Sequence, residues 1–334
     1  MRVRESISPD HETHDPEVVF VSRHARDWQE IAEALPEPGD VAPQIAALGG
    51  AAGWILQTFL FLKRRGNDVR LSDSMPSQGV AIVHFDDVGL RSYGLNSFMV
   101  VIRADRPVVD LCDLQIVQNP RAVKSRRDFF IPYWPQPGLI PRDATRGDRV
   151  ERVGFVGRSQ NLAEAFKDGA FERGLRELGV EFVFRAKQWW DYSDLDVVLG
   201  VRDGKESFMD SKPASKLVNA WMAGCPAVLG RESAFEGVRQ SDLDFYSVSS
   251  VPEALEAIRE LKEDPVRYRA MVENGDARKR EFMPDRIAEV WEELLAGPVR
   301  EGYADWRRQG WARRIFRFGM RAVRARVIGR SYDR

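Results

Sequence analysis

Little in this chain is suited to covalent bracing, metal binding or membrane crossing. Its 334 residues include two cysteines, Cys112 and Cys225, and four histidines. The cysteines lie far apart and neither has a partner at metal-ligand spacing. That excludes a disulfide framework and a zinc site and points to a reduced, cytoplasmic protein. No run of about 18 apolar residues occurs, so no membrane-spanning helix is expected. The opening MRVRESISPDHETHDPE is polar and lacks the apolar centre of a signal peptide. An excess of one charge is also missing. Fifty basic residues stand against 51 acidic ones, a net charge of −1, which argues against a polycation built for nucleic acid.

What is present suits a globular protein. Hydrophobic residues make up 43% and charged residues 30%, and the length allows two domains of about 150 residues each. Apolar, β-branched runs at 18–22, 79–87, 97–105 and 114–119 alternate with helical or loop segments, as in an α/β domain with a largely parallel sheet. Residues 28–43 are polar and proline-bearing, at best partly helical. The stretch FFIPYWPQPGLIPRDATRGD (129–148) carries four prolines and two glycines. It reads as a domain boundary rather than a regular element. Beyond it the alternation restarts with RVGFVGR, VEFVFRA, DLDVVLGVR, PAVLG and DFYSVS. The division is 1–140, 141–297 and a tail at 298–334.

The segment SKPASKLVNAWMAGCPAVLG (211–230) carries the strongest local signal. Pro213 suits the first position of a helix, with Ser211 or Lys212 at the cap. Free N–H groups and the helix dipole at such a start favour an anion. Lys212, Ser215 and Lys216 add donors, and Asn219 lies one turn further in, within reach of a ribose hydroxyl. A helix feeding a parallel strand places that anion at the sheet's carboxyl edge.

The run Asn-Ala-Trp-Met-Ala-Gly-Cys-Pro-Ala-Val resembles the donor-site signature of GT-B glycosyltransferases, Glu-Ala-x-Ala-x-Gly-x-Pro-Val-Val. Ala220, Gly224, Pro226 and Val228 fall on the pattern; Met222 and Ala227 depart from it. Asn219 stands where that family has the acidic residue that binds the donor ribose. Ser211, beside Asp210, stands where a second glutamate contacts the transferred sugar. The chain thus departs from the retaining two-glutamate subgroup. GFVGRSQN (154–161) resembles the strand and turn that open the donor domain, with Arg158 facing the diphosphate. The loop VRDGKES (201–207) follows a strand on the same rim, with Lys205 as a donor candidate. Gly50, in the glycine-rich turn 49–53, matches a first-domain loop that faces the cleft. The resemblance spans roughly residues 49–297. It implies two Rossmann-like domains facing each other across a cleft, the first on the acceptor side and the second binding a nucleotide-diphosphate sugar. It is similar to the bacterial group 1 and group 4 enzymes, which transfer a sugar to a glycan or lipid-linked acceptor, as in polysaccharide biosynthesis. A non-catalytic sugar- or nucleotide-binding subunit and a nucleotide-sugar epimerase are the alternatives.

Such chemistry needs the leaving diphosphate neutralised and, for inversion, a base at the acceptor hydroxyl. The resemblance implies that basic side chains and a helix start do the first, without metal or cofactor. Asp194-Leu-Asp196 precedes an apolar strand and so lies at the wrong end for a metal site. Candidates for the base are His84 and Asp86 in HFDD (84–87), and Asp105 after the strand FMVVIRA.

From Glu301 onward there are ten arginines and three acids. In a helical projection of 306–327, Trp311, Ile315, Phe318 and Ala322 share one side. Arg313, Arg314, Arg317, Arg321 and Arg324 share the other. An amphipathic helix of this kind is expected to lie on an anionic membrane surface, placing the protein peripherally on the inner face.

Overall fold

The computed structural model describes residues 15–90 and 94–327. Six parallel strands form the first sheet: β1 (Val18–Val21), β2 (Val69–Ser72), β3 (Gly79–His84), β4 (Ser97–Ile102), β5 (Leu114–Val117) and β6 (Asp128–Phe130), in the order β2-β1-β3-β4-β5-β6. Five more form the second: β7 (Arg152–Val156), β8 (Glu181–Arg185), β9 (Val197–Gly200), β10 (Ala227–Gly230) and β11 (Tyr246–Val248), in the order β11-β10-β9-β7-β8, again all parallel. β3 and β4 are buried along their whole length. That is why GVAIVH and SFMVVI read as continuous apolar runs rather than alternating ones: a parallel sheet is covered on both faces.

Residues 28–43 are more ordered than their composition suggests. Helices Gln29–Ala34 and Pro38–Leu48 occupy this stretch, the second with Pro38 in its first turn and Pro43 inside it. Val41, Ala42 and Ile45 bury one face of that helix, and packing overrides the proline signal. The proline-rich stretch begins as edge strand β6 and then runs as an irregular strap. The strap is pinned by buried Ile131 and by Trp134, whose indole donates to Thr58 Oγ1 at 3.1 Å.

The helix Pro284–Leu294 returns to the first domain. Trp291 is fully buried there with its ring centroid 6.0 Å from that of Phe20, and Glu292 accepts from two Arg65 nitrogens at 3.0 Å and from Asn67 at 2.7 Å. The next helix, Arg300–Arg308, inserts Tyr303 and Trp306 beside Phe98. First-domain packing therefore continues past residue 298.

The last helix, Trp311–Val327, covers the second face of the first sheet. Here the projection needs correcting. Phe318 and Ala322 pack on the body, and the arginines expected to face outward are largely drawn inward. Arg317 and Arg321 reach the Asp113 carboxylate at 3.1 and 3.0 Å, Arg324 lies 3.4 Å from Asp110, and Arg314 stacks 3.9 Å from the Trp306 ring. Asp113 is 4% exposed, and a buried carboxylate demands a paired cation. Phe316, Met320 and Val323 are left facing outward, 67%, 58% and 58% exposed. Among the described residues no helix is long and apolar enough to cross a membrane.

Candidate active-site cleft

The carboxyl ends of the two sheets approach each other, as ligand sites of open α/β sheets require. Several polar contacts join them. Lys212 Nζ lies 2.8 Å from Asp105 Oδ2, which follows β4. Gln118, after β5, donates to Ser211 O at 3.0 Å. Asn119 donates to Met209 O at 3.3 Å and to Ser233 Oγ at 3.0 Å. Gln136 N donates to Asn219 Oδ1 at 3.1 Å.

A polar chain runs through the first-domain rim. His84 closes β3 and is 4% exposed; its Nδ1 accepts from Asp86 N at 3.3 Å and lies 3.7 Å from the Asp86 carboxylate. Arg106 grips Asp86 with two nitrogens at 2.8 and 2.7 Å and lies 3.9 Å from Asp105. Asp105 then meets Lys212. Burial lowers the His84 pKa against the opposing pull of Asp86 and Asp87. The Arg106 hydrogen bond holds Asp86 below the usual carboxylate range, although burial works against it. Burial also acts to raise the Asp105 pKa, but Lys212 outweighs it through its hydrogen bond and charge, and the result is lowered. Because His84 Nδ1 is an acceptor, the neutral ring carries its proton on Nε2 and has no free lone pair for a substrate proton. Asp105 is ionised and sits at the crossing point. The sequence placed His84, Asp86 and Asp105 separately; the fold strings them together through Arg106, a residue the sequence did not single out.

On the second-domain side the helix begins later than Pro213. It spans Ser215–Ala223 with Ala214 at its N-cap. Ser211 N and Lys212 N bond back to Phe208 O and Met209 O, so helical bonding starts only with Val218 N to Ala214 O. Ser215 is the first helical residue, half-buried, and its hydroxyl makes no hydrogen bond among the described residues. Lys216 lies beside the end of β7. Its ammonium, however, donates to Val156 O at 2.7 Å, rests 4.0 Å from the Phe155 ring and sits under the Gly157 turn. Burial pushes its pKa down to about 7, helped by Arg202 and opposed by Glu232. Glu232 is 1% exposed and bonds Arg202 at 2.9 Å, and its other carboxylate oxygen has no partner among the described residues. Burial raises its pKa, against the pull of Arg202 and Lys216. Asn219 is buried, and its amide oxygen is occupied by the Gln136 backbone. Lys205 is exposed just before the short helix Glu206–Met209, and its carbonyl accepts from Phe208 N and Met209 N.

Gly50 lines a cavity of about 580 Å³ between the domains, which Arg158 does not line and adjoins only through Trp189. Gly49, at φ 88°, turns the chain from one helix into the next and brings Gly50 to the cavity wall. Opposite lie Lys187, Trp189 and Trp190, with Tyr133 at one side. Arg158 is exposed and stacks its guanidinium 5.6 Å from the Trp189 ring centroid. The tryptophan pair escaped the sequence reading, although two adjacent tryptophans just after a strand are a visible signal. Among the described residues no cluster of three or more His, Cys, Asp or Glu could hold a metal ion. Asp196 of the Asp-Leu-Asp letters is fully buried between Arg142 and Arg146, at 2.7 and 2.8 Å, and holds strand ends together.

No protein-family model and no curated protein sequence matches the chain. Solved structures do resemble it. AviGT4, a glycosyltransferase involved in avilamycin A biosynthesis, is 15% identical with a TM-score of 0.50, covering 84% of this chain and 98% of its own. Anabaena HepE in complex with UDP is 13% identical with a TM-score of 0.49, covering 84% and 99%. A GtfA/B complex is 13% identical with a TM-score of 0.47 over 74% of this chain, which spans only 60% of that longer one. Two parallel α/β domains with facing carboxyl edges, joined by a returning helix, and the likeness to AviGT4 agree: this chain has the GT-B fold.

Proposed function

We propose that the protein is a metal-independent glycosyltransferase that moves a sugar from a nucleotide-diphosphate donor to a glycan or lipid-linked acceptor. One observation carries this reading: Lys212 of the second domain and Asp105 of the first meet at 2.8 Å between the two carboxyl edges. A cation suited to a diphosphate and a carboxylate suited to a hydroxyl proton are thereby brought to one point. The nucleoside enters the cavity between Gly50 and the tryptophans, where a base or sugar can stack. Arg158, Lys212 and the amide groups at Ser215 and Lys216 neutralise the diphosphate. A bound diphosphate takes Lys212, which frees Asp105 to accept the acceptor's proton. His84 and Asp86 act behind it by fixing Arg106. The neighbour named as a UDP complex motivates UDP as the first donor to test.

Calorimetric titration of UDP, GDP and dTDP tests donor binding, and incubation with mixed sugar nucleotides tests turnover. Binding of none sinks the proposal. Binding without turnover supports a nucleotide-sugar-binding subunit instead, and a donor returned as its epimer supports an epimerase.

We also infer that the protein docks on an anionic membrane face through the outer side of the last helix. Phe316, Met320 and Val323 recur at intervals of four and three, so they form one apolar stripe. Exposed Arg313 and Arg326 flank the stripe, and the helix contains no acid. Apolar centre and cationic margins complement an anionic bilayer, each nearby arginine adding about 1 kcal/mol.

A further inference from the structure

A second interdomain cavity, of about 700 Å³, shares no lining residue with the one beside Trp189. It opens at the carboxyl ends of β9 and β10. Arg202 and Arg231 contribute from the second domain, and Arg121 and Lys124 from the turn after β5 in the first. Arg121 and Lys124 are exposed, and their side chains have no hydrogen-bond or ion-pair partner among the described residues. Arg231 has only a loose contact, 3.8 Å from Glu253. The acids of the lining are mostly committed elsewhere. Asp203 accepts from Glu164 N at 2.8 Å, and Glu236 accepts from Ser247 Oγ at 3.1 Å and pairs with Arg239. The lining thus carries four cations, Arg121, Lys124, Arg202 and Arg231, against three acids, Asp203, Asp210 and Glu236.

We infer that this cavity binds a phosphate or pyrophosphate group carried by the acceptor. An uncommitted Arg and Lys three residues apart on one domain, opposite a third cation on the other, suit a group with several anionic oxygens. Domain contacts run along its edge, since Met209 and Ser233 both line it and both accept from Asn119. An anion there binds both domains at once and holds them together at the Asn119 contacts. The inference rests on the transferase reading of the cleft. It narrows the acceptor class to molecules bearing a phosphoanion near the accepting hydroxyl.

The test titrates inorganic pyrophosphate into the full-length protein saturated with whichever of UDP, GDP or dTDP binds, or into the free protein if none does. Wild type is compared with the Arg121→Ala/Lys124→Ala double variant, which loses no structural contact and should keep its melting temperature. The expected result is saturable binding to wild type that weakens at least tenfold, roughly the effect of losing one charge-assisted contact, in the double variant. Nucleoside diphosphate affinity should stay within about twofold. Pyrophosphate that fails to bind wild type, or binds the double variant equally well, overturns the inference. So does a parallel loss of nucleoside diphosphate affinity, because the cavity would then hold the donor's own diphosphate. If no nucleoside diphosphate binds but the pyrophosphate difference persists, the donor reading fails while the anion site stands.

Discussion

Lys212 and Asp105, 107 positions apart in sequence, form the ion pair that bridges the two facing sheets. Each is a candidate for a different half of the reaction, and in the structure each occupies the other. The two substitutions should therefore separate. Lys212→Ala should weaken nucleoside diphosphate binding roughly tenfold, the effect of losing one charge-assisted contact. Asp105→Asn leaves the lysine free, so binding should hold or tighten while turnover falls about a hundredfold or more, as removal of a general base does. Equal losses of affinity in both variants, with turnover per bound donor unchanged, would show the pair to be a mere clasp.

Lys216 makes the opposite prediction from the one its place in the motif suggests. Its ammonium is enclosed, with a pKa near 7 against an ordinary 10.5. The folded pKa is lowered, so between about pH 7 and 10.5 the unfolded chain binds the proton that the folded one sheds. Stability therefore rises with pH across that window. Lys216→Met should remove this rise and stabilise the protein at pH 7 by roughly 2 kcal/mol, after loss of the bond to Val156 O is deducted. Denaturant unfolding at pH 7 and pH 9 measures both effects. A wild type whose pH dependence matches the variant's contradicts the enclosure. Donor affinity should suffer less in Lys216→Met than in Lys212→Ala.

How far the sequence carried is visible in this same helix. Alternating apolar runs disclosed both parallel sheets, because strands buried on both faces must be apolar throughout. The segment 211–230 disclosed a helix feeding a strand. Composition could not disclose the direction of individual side chains. Lys216 and Lys212 stand four apart on similar local sequence, yet one lies under β7 and the other crosses the cleft. Arg106 was passed over because its partners, Asp86 and Asp105, gather only when β3 and β4 lie side by side. The last helix misled for a related reason. A projection sorts residues by type, but its arginines answer buried Asp113, which lies some 200 residues earlier.

Trp189 forms a wall of the cavity proposed for the donor nucleoside and stacks against Arg158. Trp189→Ala should weaken nucleoside diphosphate binding about tenfold, because base–aromatic stacking contributes roughly 1–3 kcal/mol. Trp189→Phe should recover most of that loss, since a π-face is retained. Calorimetry on the two variants decides the point. An alanine variant with wild-type affinity would move the nucleoside out of this cavity.

The last helix separates a structural from an interfacial role. Arg321 is nearly enclosed against Asp113, itself 4% exposed. Arg317→Ala/Arg321→Ala leaves that carboxylate buried without a cation and should cost about 3 kcal/mol of stability or more. Phe316→Glu/Met320→Glu alters only outward-facing positions, so the melting temperature should scarcely move. On vesicles of phosphatidylcholine with phosphatidylglycerol, wild type should co-sediment and the glutamate variant should remain in the supernatant. Pure phosphatidylcholine should retain little of either, because Arg313 and Arg326 then lack anionic partners. Equal sedimentation of wild type and glutamate variant, or a wild type indifferent to anionic lipid, would assign the stripe to something other than a membrane.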